Sequence, residues 1–325
     1  MARKITFFVI TIIFVVLATV YFPYMMLYDH TTINKKMEAL EKTIPQIEGL
    51  DSYLEKAEAA YPNLRKGLGK AISWNDVKNK QQTEYSFIYM PGFTATRKEI
   101  APVVETLAKQ FSANSYFSRL PSHGEEADDY SNARTEGFFE SAMEAVIIGN
   151  KIGKKPIFVG LSTGATVLQY VLNKTGNAYA FVTMSPAFYT SSHYMNVSLN
   201  PWVGHSLVKM VVGNHYHWKG RFTDQDLYWN TTYNTDIIPQ ITRVFQIASN
   251  QDYSNMNTPT FLIYNPNDDV ADPKMMLQIF EQGRNPKNKV MTLDSRDLHV
   301  IAGDITSPEN TQKVIDEVTS WIKSL

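Results

Sequence analysis

The pentapeptide Gly160-Leu161-Ser162-Thr163-Gly164 constrains this chain more than any other feature, because of what flanks it. Before it, Pro156-Ile157-Phe158-Val159 is a short apolar run that reads as a buried strand. After it, Ala165 to Leu172 reads as a helix closed near Gly176. The chain must therefore pass from strand to helix through a very sharp turn. Glycines at 160 and 164 allow a crowded, strained backbone that side chains would block. The serine oxygen is then lifted above the strand end, over the positive end of the helix. G-x-S-x-G is common as a bare pattern, and this context gives it mechanical meaning.

At 325 residues the chain holds one large domain or two modest ones. Its formal net charge is −1, so no basic field points to nucleic acid. It has no cysteine, which excludes disulfides, thiol catalysis and thiolate-bound metal, and leaves the redox compartment open.

The N-terminus suggests a location. Arg3 and Lys4 precede an uncharged run from Ile5 to Tyr28. As a helix this run is about 36 Å long, enough to cross a hydrocarbon core of about 30 Å. Tyr21, Phe22, Tyr24 and Tyr28 cluster at its far end, where aromatic rings favour the membrane interface. The positive end is expected to stay in the cytoplasm, with the rest of the chain outside it. The reading is residues 1–28 as a transmembrane anchor. The alternative is a cleaved signal, although Ala18-Thr19-Val20-Tyr21 offers no small-residue cleavage site.

Residues 29–82 are polar, with helical spacing at Met37–Lys42 and Leu50–Ala60 and breaks at Pro45 and Pro62. They read as a helical stalk or extension packed on the main domain. From 83 to 325 strands and helices alternate. Strands are expected at Tyr85–Met90, Ala113–Phe117, Ala178–Met184, Pro259–Tyr264 and Lys289–Leu293. Helices are expected at Lys98–Phe111, Phe138–Ile152 and Glu309–Lys323. That order predicts an α/β fold with a mostly parallel sheet and flanking helices. About 186–250 interrupts the alternation and is dense in aromatics: Trp202, Trp218, Phe222, Tyr228, Trp229 and Tyr233.

Several polar clusters carry possible chemistry. Asn265-Pro266-Asn267-Asp268-Asp269-Val270 follows an expected strand and holds two carboxylates. Asp297-Leu298-His299-Val300 follows another. Taken singly, Asp268 reads as a turn former and His299 as a cap for the last helix. His215-Tyr216-His217 has no partner at metal-ligand spacing, and His123 reads as a loop residue. Asn173, Asn196 and Asn230 each begin a glycosylation-like triplet, a pattern that often arises by chance.

Together these segments resemble the α/β-hydrolase superfamily, and within it bacterial carboxylesterases and monoacylglycerol-lipase-like members. The resemblance rests on Pro91-Gly92-Phe93-Thr94-Ala95, Leu120-Pro121-Ser122-His123-Gly124, the serine turn, Asn267-Asp268-Asp269-Val270 and His299-Val300-Ile301-Ala302-Gly303. It spans roughly Tyr85 to Leu325. Three positions depart from it: Pro91 stands for a histidine, Ser122 for a glycine, and Ala165 for a third glycine of the turn.

The resemblance implies the order serine, acid, histidine. Ser162 is then the nucleophile, His299 the base and Asp268 the acid, with Asp269 as the alternative acid. The Phe93 and Thr163 backbone N–H groups would form the oxyanion hole. It also implies a cap insertion at 186–250, no cofactor, no metal, and a small-molecule or lipid ester as substrate. A non-catalytic binding module and an acyltransferase remain the rival readings.

Overall fold

The computed structural model describes residues 30–191 and 209–325. The expected anchor at 1–28, and with it Trp202 and Asn196 of the cap interval, lie outside the described residues. Among the described residues no helix is long and apolar enough to cross a membrane.

A seven-stranded sheet organises the chain, in the order β1-β3-β2-β4-β5-β8-β9. Its strands are β1 (Ala71–Ser73), β2 (Thr83–Met90), β3 (Asn114–Phe117), β4 (Gly153–Leu161), β5 (Ala180–Met184), β8 (Thr260–Tyr264) and β9 (Lys289–Thr292). All neighbouring pairs are parallel except β1 with β3. The expected strands recur with ends shifted by at most a few residues. β1 was not foreseen. It is only three residues long and lacks an apolar run, so nothing in its composition marks it.

The sheet has two cores, because successive strand side chains point to opposite faces. Ile88, Met90, Phe158, Phe181 and Leu262 face one side. Phe87, Tyr89, Val159, Val182 and Phe261 face the other. The first core includes Ile33 of α1 (His30–Thr43), and Leu50 and Leu54 of α2 (Ile47–Ala59). It also takes the apolar faces of α4 (Thr135–Ile152) and α5 (Ser162–Thr175). The second takes α3 (Val103–Gln110) and the long C-terminal helix Pro308–Lys323, through Val314, Ile315, Val318 and Trp321.

The helix expected from Lys98 starts at Val103 instead. Ala101 precedes Pro102, and a residue before proline is pushed out of helical geometry. Residues 96–101 form turns, with Glu99 N–H on the Thr96 carbonyl at 2.9 Å.

Residues 30–82 are built into the domain. Buried Glu144 on α4 pairs with Lys70 at 2.6 Å and accepts from the Tyr53 hydroxyl at 2.9 Å. Arg119 bridges Glu58 and Glu125, both at 2.8 Å. Paired charges of this kind can be buried where single ones cannot.

The cap interval divides. β6 (His215–His217) and β7 (Thr232–Asn234) form a small antiparallel sheet, with a short helix, α6 (Gln225–Tyr228), between them. Helix α7 (Ile237–Ser249) instead returns to the main sheet and packs on α5 and α4. Its buried stripe Ile237, Ile241, Val244, Phe245 and Ala248 has helical spacing and belongs to the first core. Residues 237–249 therefore belong with the helices of the main sheet.

Candidate active site

Ser162 sits where β4 ends and α5 begins, with a φ of 52° that places it in the left-handed region. L-residues seldom adopt that conformation, and here the surrounding packing holds it. The glycines on either side are sterically required. A Cβ on Gly160 would lie 2.6 Å from Ala165 Cα, and one on Gly164 would lie 2.3 Å from the Met90 carbonyl oxygen. Gly164 thus lets α5 close on the end of β2. That contact carries the Gly92-Phe93 loop to the serine: a Cβ on Gly92 would stand 3.1 Å from Ser162 Cβ.

The Phe93 amide donates to no partner among the described residues. Thr163 lies in the first turn of α5, whose amides lack intrahelical acceptors. The loop is held elsewhere. His123 Nε2 accepts from the Thr94 amide at 2.8 Å, and its Nδ1 donates to the Pro121 carbonyl at 2.9 Å. Both ring nitrogens are therefore occupied by one neutral tautomer. Burial, with the Arg119 charge in the same direction, pushes His123 down to about 3. It is a brace, as a loop residue would be. Ser122, at φ 63°, occupies the left-handed position of the absent glycine and donates to the Asp129 carbonyl at 2.8 Å.

Asp268 and His299 meet. His299 Nδ1 donates to Asp268 Oδ2 at 2.7 Å, and both residues are buried. Asp268 Oδ1 accepts from the Val270 and Ala271 amides, each at 2.8 Å, so the carboxylate cannot swing away. Asp269 points elsewhere, to an exposed pairing with Arg221 at 3.2 Å. Burial pulls the His299 imidazolium down. The charge and hydrogen bond of Asp268, helped by Asp297 and Glu99, outweigh it and hold His299 above its ordinary value. Ser162 Oγ makes no hydrogen bond among the described residues. Catalytic serine–histidine bonds are commonly long before substrate arrives.

Three supporting residues escaped the sequence reading. Asp297 Oδ1 accepts from the His299 and Val300 amides at 2.9 and 2.8 Å, shaping the histidine loop. An aspartate two residues before the histidine is the visible mark of such a turn. Asn265 Nδ2 donates to Ser295 Oγ at 3.2 Å, tying the acid loop to the histidine loop. Glu99 accepts from the Gly92 amide at 2.8 Å.

The β6–β7 segment leans on the same loop. Asn230 N–H donates to the Thr94 carbonyl at 2.8 Å, and the Tyr233 and Phe93 rings meet edge to face at 5.2 Å. The Asn230 side chain is buried and bonded to Gly124, Arg65 and Glu125, so it cannot carry a glycan in this fold. Arg65, from the extension, also reaches the Leu227 and Trp229 carbonyls at 3.0 and 3.2 Å. His217 pairs with Thr232 Oγ1 at 2.8 Å, and among the described residues no group of three or more potential metal ligands occurs.

No family model and no curated protein matches the sequence. Solved structures do match the fold. A metagenome-derived lipolytic enzyme, from work on LipS and LipT, aligns with a TM-score of 0.64 at 13% identity, covering 81% of this chain and 100% of that one. The monoacylglycerol lipase of Paleococcus ferrophilus aligns at 0.58 and 11% identity, covering 78% and 98%. A soluble variant of the Saccharomyces cerevisiae monoglyceride lipase aligns at 0.57 and 10% identity, covering 79% and 91%. Identities this low speak for architecture alone, and with the strand order and the serine turn they establish that this chain has the α/β-hydrolase fold.

Proposed function

We propose that the protein is a serine hydrolase of carboxylic esters. The observation that most supports this is the buried Asp268–His299 pair, at 2.7 Å, at the same sheet edge as the strained Ser162 turn. A serine hydroxyl is a weak nucleophile until a base takes its proton, and the base needs an orienting carboxylate. In the proposed mechanism His299 Nε2 takes the Ser162 proton as Oγ attacks the ester carbonyl. The Phe93 and Thr163 amides receive the oxyanion. His299 then protonates the leaving alcohol, and water releases the acid by the same route. The names of the structural neighbours, lipases and esterases, favour an ester substrate of small-molecule or lipid type.

We further propose that residues 1–28 anchor the chain in a membrane with the hydrolase domain outside the cytoplasm. The uncharged run behind Arg3 and Lys4 supports this. A reporter active only after export, fused after Leu325, is expected to be active. A mature chain starting between Ala18 and Asp29 would instead make the segment a cleaved signal.

The decisive experiment for the activity is Ser162→Ala, assayed on p-nitrophenyl esters of increasing acyl length and with a fluorophosphonate probe. Turnover is expected to fall by about 10⁴-fold or more, with loss of labelling and an unchanged fold. A variant keeping more than about a tenth of wild-type turnover overturns the assignment of the nucleophile.

A further inference from the structure

Glu99 is a buried carboxyl to which the mechanism above assigns no task. It lies in the turns between β2 and α3 and is 2% exposed. Its Oε2 accepts from the Tyr89 hydroxyl at 2.7 Å and from the Gly92 amide at 2.8 Å. Tyr89 is near the end of β2, and Gly92 immediately precedes Phe93. A Cβ on Gly92 would lie 2.9 Å from Glu99 Oε1 and 3.1 Å from Ser162 Cβ, so Gly92 is confined between carboxyl and serine. The histidine loop presses from another side. Gly303, at φ 109°, approaches so closely that a Cβ there would meet the Glu99 carbonyl oxygen at 2.6 Å. Glu99 therefore touches the oxyanion loop with its side chain and the His299-bearing loop with its backbone.

The charges around it come from several elements. His299 and Asp297 face it from the loop after β9, and Tyr89 from β2. Asp268 acts on His299 from the loop after β8, and Glu105 of α3 acts on Tyr89. Burial raises the Glu99 carboxyl to about 7. The Gly92 and Tyr89 hydrogen bonds and His299 oppose that rise, and Asp297 adds to it. A brace alone needs no charge, since an amide oxygen accepts the same two hydrogen bonds.

We propose that Glu99 is a positioning residue for ester hydrolysis, its carboxylate fixing Gly92-Phe93 against Ser162 and adding negative charge beside His299. This rests on the assignment of Ser162 and His299 made above. The proton passes from Ser162 Oγ to His299 Nε2, and Glu99 takes no proton in that step. Its charge favours the imidazolium that forms, and its acceptor oxygen holds the oxyanion donor where charge develops.

The test is the pH profile of kcat/KM for wild type, Glu99→Gln and Glu99→Ala, with fluorophosphonate labelling to count competent serines. Glutamine keeps an acceptor and removes the charge. His299 then loses a stabilising neighbour, and the acid limb is expected to move down. Alanine also removes the acceptor. Its kcat per labelled serine is expected to fall by about 10- to 100-fold, with KM changed less than about threefold, because a displaced oxyanion donor costs the transition state and not binding. A merely structural Glu99 would lower the labelled fraction and the melting temperature without moving the limb. An unmoved limb in Glu99→Gln overturns the proposal, as does a Glu99→Ala kcat within about threefold of wild type. If Glu99→Ala does not fold, the Glu99→Gln limb decides alone. Failure of the underlying assignment looks different: wild type itself takes no label at Ser162 and hydrolyses no ester, and both readings fall.

Discussion

Asp268 and Asp269 are neighbours in sequence with opposite surroundings. Asp268 is clamped by two amides and His299, while Asp269 meets solvent and Arg221. Asp268→Asn is expected to lower kcat by about 10³- to 10⁴-fold, since the imidazole loses its orienting charge. Asp269→Asn is expected to cost no more than about threefold, because a surface pairing contributes little. Steady-state kinetics of the two variants separate the roles, and reversed effects would move the acid to Asp269. The pH profile gives a second check. His299 must be neutral to act as base, and its folded pKa lies above the ordinary value despite burial. The wild-type acid limb should therefore fall above about pH 6.5, and in Asp268→Asn, where burial acts with less opposition, below the wild-type position. Ser162, Asp268 and His299 could be proposed from the sequence because a motif, a chain order and strand ends all pointed to them. Glu99 could not. It lies in the span expected as the start of an amphipathic helix, where a glutamate reads as solvated surface. Pro102 delays that helix, and the intervening turns carry Glu99 inward.

At the scale of elements, the α1–α2 extension and β1 are joined to the body by charge as well as by packing. Lys70→Met should leave Glu144 with its tyrosine partners Tyr53 and Tyr116 but no countercharge. A loss of about 3 kcal/mol is expected, read from the urea midpoint at constant slope. Adding Glu144→Gln should recover much of it, because the uncompensated charge goes as well. The central strands β2, β4, β5 and β8 announced themselves as apolar runs between turn residues. The start of α7 was harder to see. The aromatic-rich stretch runs up to Tyr233, and α7 follows within a few residues, so composition blurs an insertion into the crossover helix behind it. Only the helical spacing of Ile237, Ile241, Val244 and Ala248 separates them.

The whole molecule should carry the imprint of the buried, upward-shifted Glu99 and His299. Glu99 is raised from 4.5 to about 7. The native state therefore holds a proton that the unfolded chain has released, and stability falls as pH rises across that window. His299 is also raised, so its contribution is present below about 6.5 and is lost as pH climbs through its folded value. Both act in the same direction. Buried His123, pushed down to about 3, acts the other way as pH rises toward about 6.5, so the wild-type loss is expected above that, with a lower melting temperature at pH 8.5 than at pH 7. Glu99→Gln is expected to flatten that slope, with a gain of up to a few kcal/mol at the alkaline end, at ~1.4 kcal/mol per pKa unit. Calorimetry across the range checks both sign and size. The antiparallel strand β1 matters here too, through what it covers. It pairs Ala71, Ile72 and Ser73 with Phe117, Tyr116 and Ser115 of β3, so the parallel part of the sheet never ends in open backbone on that side. A fragment cut at residue 83 would keep Ser162, Asp268 and His299 and still uncover that edge, along with the apolar surface vacated by Ile33, Leu50 and Leu54. Bare strand edges beside apolar surface recruit other chains. Such a fragment should run as heterogeneous oligomers in size-exclusion chromatography, with the extension serving as the guard against self-association.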